Sequence, residues 1–96
     1  MARRIRITTW YRRTAVPLLT PGSTSARAVG RAVGALADAG TLPGATDYEA
    51  EARPVGRAWI RRVGGSNLWI WFRFTGDELV LLTVTAVPPV PADPPD

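Results

Sequence analysis

The sequence contains no cysteine, no histidine and no lysine. The first two absences together remove disulfides, thiolate nucleophiles, the usual zinc ligand sets and imidazole acid–base chemistry. Most hydrolase mechanisms go with them, and no metal or other cofactor is expected. The third absence makes all twelve basic residues arginine, against eight acids, for a net charge of +4. Arginine's planar, permanently charged fork suits phosphate and stacks on rings, so nucleic acid or an acidic protein segment is the natural partner class. A long apolar run is missing too. No stretch approaches the ~20 residues of a membrane helix, and "MARRIRITTW" is basic without the apolar centre of a signal peptide. The expectation is therefore a soluble, cytoplasmic protein with no membrane association.

What is present is one small domain: 96 residues, 46% of them hydrophobic, enough for a single modest core. The domain is expected over residues 1–87. Residues 88–96 carry five prolines in nine positions and are expected to form a disordered or polyproline tail. From Arg4 to Tyr11 apolar and polar residues alternate, which predicts a first strand with Ile5, Ile7 and Tyr11 on one face and Arg4, Arg6 and Trp10 on the other. Pro17 and Pro21 argue against a helix over the following segment, since each costs about 3 kcal/mol in a helix interior. Ser23, Thr24 or Ser25 then caps a predicted helix from Ala26 to Ala39, with Gly40 as its stop. Ala26, Val29, Val33, Leu36 and Ala37 form its apolar stripe, and Arg27, Arg31 and Asp38 its opposite face. The stretch 41–56 reads as loop, with short strand pairing around Tyr48 to Ala52 as an option.

Three consecutive strands follow: "RAWIRRV", the loop "GGSN", "LWIWFRF", the turn "TGDE" and "LVLLTVTAV". If the loop pairs Val63 with Leu68, then Arg62 lies across from Trp69 and Ile60 across from Trp71. A two-residue Gly76-Asp77 turn places Arg73 across from Val80, Trp71 from Leu82 and Trp69 from Val84. One face then carries Trp59, Leu68, Ile70, Phe72, Phe74, Leu79 and Leu81, the core candidate for the helix to cover. The other is a tryptophan pair flanked by arginines. Both faces are apolar, whereas a half-solvated strand alternates apolar with polar. Three readings of the Trp–Arg face stand open: self-packing with arginines stacked on the indoles, a protein interface, or an RNA interface. A patch of that size, if uncovered, predicts a partner segment or a second copy lying across it.

The order strand, helical region and three meandering strands, with the wording of "AWIRRVGGSNLWIWFRFTGDELVLLTVTA", resembles the RelE/ParE superfamily of bacterial toxins. That resemblance implies an α+β fold, a four-stranded, mostly antiparallel sheet with one main helix on one face. It also implies a toxin-like component of a toxin–antitoxin pair, which acts on translation through RNA or ribosome binding or cleavage, or on gyrase, and is held by an antitoxin-like protein. Among the family's basic residues, Arg62 matches the one on the strand before the loop. The arginine of the family's "YR" pair falls on Trp69, and the family's post-strand arginine falls within "VPPVP". The family's helical hairpin is read here as a single helix. The cleavage set implied is Arg62 with Arg73 as a substitute on the same face. The RNA- or partner-binding set is Arg4, Arg6, Ile60, Arg62, Trp69, Trp71 and Arg73. The alternative from another class is a non-catalytic interaction module that uses this face to bind a partner protein or itself.

Overall fold

The computed structural model describes residues 2–53, 55–89 and 91. The order of elements is β1 (Arg4–Ile7), α1 (Thr9–Leu18), α2 (Thr24–Asp38), β2 (Tyr48–Ala52), β3 (Gly56–Val63), β4 (Leu68–Phe74) and β5 (Glu78–Thr85). The fold is α+β, as expected, but among the described residues its sheet has five strands, in the order β1-β5-β4-β3-β2, rather than four, and its helices number two rather than one. Pairing is antiparallel except between β1 and β5, which run parallel with Arg4 beside Glu78 and Ile7 beside Leu81. No helix among the described residues is long and apolar enough to cross a membrane.

The first strand is shorter than its alternation suggests because Thr8 turns the chain. Its backbone is extended and its hydroxyl accepts from the Tyr11 N–H at 3.1 Å, which makes it the N-cap of α1. Tyr11 and Trp10 are thus helical. Pro17 falls in the last turn, where its missing N–H costs one bond, and the Leu19 N–H closes the end on the Ala15 carbonyl at 2.7 Å. That cost is outweighed by the Thr8 cap and by the packing of Tyr11 and Ala15 in the main core, so α1 forms where the sequence reads as irregular.

Ser23 caps α2 by accepting from the Ala26 N–H at 3.1 Å. The expected stripe holds, with Val29, Leu36 and Ala37 buried and Arg27, Arg31 and Asp38 exposed. Ala39 is the C-cap, one residue before Gly40. Arg3 ties this end to the sheet: its backbone N–H donates to the Ala37 carbonyl at 2.8 Å and its guanidinium to the carbonyls of Ala39 and Thr75. A cation there also offsets the negative end of the helix dipole.

In the β3–β4 hairpin Val63 pairs with Leu68, Arg62 with Trp69 and Ile60 with Trp71, as the loop predicts. The β4–β5 register starts as expected, with Arg73 beside Val80, then slips: Trp71 meets Thr83 and Trp69 meets Thr85, not Leu82 and Val84. The shift lies between Trp71 and Phe72, and Leu82 is the extra residue on β5. It carries Val84 to the helix-covered side and sets hydroxyls beside the indoles.

Both helices serve one face. Tyr11, Ala15, Val29, Leu36 and Ala37 join Leu68, Ile70, Phe72, Leu79, Leu81 and Val84 in the main core, with Trp59 and Phe74 at its margin. The opposite face holds a second, smaller cluster of Ala50, Ala58, Ile60, Trp71, Val80 and Leu82.

Candidate binding face

The second cluster settles what lies over Trp71. The indole is only 4% exposed within the single chain, so the expected open tryptophan surface is absent at this position. Three pieces of the chain account for it. Trp10 and Thr14 of α1 come around the β5 edge and, with Val55, line a hollow above Trp71. The Trp71 Nε1–H donates to Thr85 Oγ1 at 3.2 Å, and the Thr85 hydroxyl donates on to the Val87 carbonyl. The segment after β5 then reaches the far edge of the sheet, where the Tyr48 hydroxyl donates to the Pro89 carbonyl at 3.0 Å and Pro91 forms a bridge with Ala50. Residues 90 and 92–96 of the expected tail lie outside the described residues. Trp69, half-buried, packs at the rim of the cluster.

The expected binding residues separate into three groups. Ile60 is fully buried and Trp71 nearly so, and neither presents a surface. Arg62 is exposed at the end of β3 with no hydrogen-bond or ion-pair partner among the described residues. Arg62 pairs with Trp69, and Arg73 lies four residues further along β4, a span of about 13 Å at the usual rise of a strand. The two arginines assigned to cleavage are therefore not brought together. Arg73 is also occupied: its guanidinium donates to the carbonyls of Val55 at 2.8 Å and of Arg57 at 3.0 and 3.1 Å. It holds the β2–β3 turn in place. Gly56 in that turn has φ +81 and would press a Cβ against the Arg73 guanidinium at 3.3 Å, so both backbone and space call for glycine there. Arg6 lies across Val80 from Arg73 and is paired with Glu78 at 3.2 Å, and Arg4 is exposed.

The concave feature on this face lies between these groups. Thr8 and Trp10 form one wall, Val55 the other, and Leu82 the floor of a cleft of about 300 Å³. An adjoining hollow of about 190 Å³ continues past Trp10 and Val55 to Arg53, Thr83 and Thr85. Trp10, 38% exposed, is the aromatic surface here, on α1 rather than on the strand that the alternation from Arg4 to Tyr11 predicts. Its signal was the Thr8 cap. No carboxylate is among the lining residues of either hollow. The two tyrosines offer no acid–base poise. Burial pushes the Tyr11 hydroxyl above its ordinary value in the helix core, and it pushes up Tyr48, which is engaged with Pro89.

Of the ion pairs among the described residues, Arg6–Glu78, Arg57–Glu49 and Arg61–Asp47, the last has a fully buried carboxylate. Arg61 makes a two-pronged contact with Asp47, Nε to Oδ1 at 2.6 Å and Nη2 to Oδ2 at 2.8 Å, and the fully buried Asp47 side chain also accepts from the Gly44 N–H at 2.6 Å. It fixes the 41–47 loop against β3. No family model, curated protein or solved structure matches this chain.

Proposed function

We propose that this protein is a toxin-like component of a toxin–antitoxin pair that acts by binding RNA or the ribosome and does not cut the RNA it binds. One observation carries the reading: the cleft opposite the main core has an exposed indole, Trp10, for a wall and Arg53 on the adjoining hollow, with no acid–base group among the lining residues of either. Single-stranded RNA is held by bases stacked on aromatic rings and phosphates neutralised by cations, and that requires no pair of converging catalytic residues. Cleavage without a metal needs several cations and an acid–base pair around one phosphate. Arg62 and Arg73 at opposite ends of the face do not supply that. Support for the RelE/ParE-like reading comes from the element order. With α1 present, two consecutive helices follow the first strand, as in a helical hairpin, while β2 stands as an added strand before the three-stranded meander.

The test is binding of labelled single-stranded RNA and of purified ribosomes to the pure protein between roughly 50 and 200 mM salt. Affinity is expected to fall steeply with salt as phosphate counterions are released, and Trp10→Ala to weaken it about tenfold, the loss of one stacking platform. The RNA remains full length, and growth arrest on induced expression survives Arg62→Ala. Cleaved RNA, with cleavage abolished by Arg62→Ala, overturns the non-cutting part; salt-independent or absent binding overturns the RNA part. The second reading, an interaction module for a protein partner, is favoured by the unpaired β1 edge and predicts harmless expression.

A further inference from the structure

β1 is the end strand of the sheet and has no second neighbour among the described residues. Its hydrogen-bond phase is fixed by the parallel pairing with β5. The Arg4 N–H donates to the Asp77 carbonyl at 2.8 Å and the Thr8 N–H to the Leu81 carbonyl at 3.3 Å, so the even-numbered residues face β5. The N–H and C=O groups of Ile5 and Ile7 therefore point away from the sheet. Their side chains lie on the helix-covered side, in register with the core residues Leu79 and Leu81, yet remain 47% and 43% exposed. The helices pack mainly on β3, β4 and β5; the end of α2 takes the Arg3 N–H just before β1, and the outward groups left for a partner are those of Ile5 and Ile7. Arg4 and Arg6 project on the other side, both exposed; Arg6 shares its charge with Glu78 at 3.2 Å, so Arg4 is the main contact for an incoming acid.

We propose that this edge accepts an added strand from a partner protein, an extended segment in which acidic and apolar residues alternate. Strand addition supplies main-chain hydrogen bonds to whatever docks, and the alternating side chains supply the choice. Apolar residues of the incoming strand cover Ile5 and Ile7, and its acidic residues meet Arg4 and Arg6 on the opposite side. A second copy of this chain is disfavoured by the same geometry. In an antiparallel pairing centred on β1 even residues face even residues, so that Arg4 opposes Arg6 or Arg6 opposes itself, and like charges directly opposite are destabilising. The arginines that keep a copy away from the edge are thus the ones that select an acidic strand. This inference rests on β1 alone and stands whether or not the chain binds RNA.

The probe is a synthetic alternating Glu–Val peptide of about ten residues, long enough to span the strand, titrated into isotope-labelled protein. Binding is expected to slow amide exchange at Ile5 and Ile7, whose N–H groups face outward. Arg4→Glu is expected to weaken binding about tenfold, the effect of setting like charges opposite. The same peptide N-methylated on alternate residues keeps its charge and loses the strand bonds, so it is expected not to bind. Slowed exchange at Ile5 and Ile7 that appears with protein concentration and no peptide makes the occupant a second copy and overturns the proposal. It is equally overturned if the N-methylated peptide binds as well as the plain one, if an alternating Lys–Val peptide binds as well, or if the Glu–Val peptide leaves the two amides unchanged.

Discussion

Arg61 and Arg62 are neighbours in sequence and opposites in environment. Arg61 grips the buried Asp47 from a largely enclosed position, and Arg62 stands in solvent without a partner among the described residues. Removing one member of a buried pair leaves the other uncompensated, so Asp47→Ala is expected to cost about 3 kcal/mol or more. Arg62→Ala is expected to stay within about 0.5 kcal/mol. Urea unfolding of the two variants checks both. The tyrosines make a second residue-scale prediction. Burial raises both hydroxyls above their ordinary value of 10.0, so the folded state favours the neutral phenol. The unfolded chain ionises first. Their contribution to stability is then complete below pH 10.0 and is lost as pH climbs through the raised folded values. The denaturation midpoint should fall on alkaline titration through that window, and Tyr11→Phe and Tyr48→Phe should each flatten the fall. Tyr48→Phe also removes the bond to Pro89 at every pH.

At the scale of elements, α1 is held by its ends and by the sheet edge it closes. β1 stops at Ile7, which leaves the outer edge of β5 unpaired from Leu82 onward. Thr8 and Thr14 take over that edge. The Thr8 hydroxyl donates to the Leu81 carbonyl at 2.8 Å while accepting from the Tyr11 N–H, and the Thr14 Oγ1 receives the Thr83 hydroxyl at 2.9 Å and the Val84 N–H at 3.4 Å. A cap alone is worth about 1 kcal/mol. Thr8→Ala is expected to cost more than that, and more than Ser23→Ala, because it also removes the shorter of the two bonds to the Leu81 carbonyl, leaving it only the Thr8 N–H at 3.3 Å. Thermal unfolding of the two variants side by side gives the comparison. The Leu82 bulge belongs to the same scale: one extra residue rotates the end of β5, so that Val84 faces the helices and Thr85 meets the Trp71 indole.

For the whole molecule, the sheet is apolar on both faces because each face has its own core. The helices cover one; Trp10, the β2–β3 turn held by Arg73 and the segment through Pro89 account for the other. Trp71 is thus a folding residue. Trp71→Ala is expected to lower the stability of the dilute chain by about 3 kcal/mol or more, the cost of emptying a buried aromatic site, and denaturant unfolding at low concentration measures it. An interface anchor would leave the isolated chain unchanged.

Several features were fixed by local pattern alone. The four-residue loop and the period-two alternation set the Val63–Leu68 register and the face carrying Leu68, Ile70 and Phe72, because a slip of one residue would turn that apolar set outward. Helical spacing after Ser23 set the stripe of α2. Composition removed thiol and imidazole chemistry outright. The rest depended on partners distant in sequence. Arg61, Arg62 and Arg73 are one residue type on neighbouring strands; which is buried, free or spent on carbonyls follows from Asp47 and Val55, brought beside them by the folding of β2 onto β3. Pro17 is tolerated because the burial of Tyr11 and Ala15 and the bonds that Thr8 and Thr14 make to the unpaired stretch of β5 outweigh its cost. Trp71 lost its surface to residues as remote as Thr14 and Thr85. Burial and hydrogen-bond phase are properties of neighbours in space, and only the assembled sheet determines which those neighbours are.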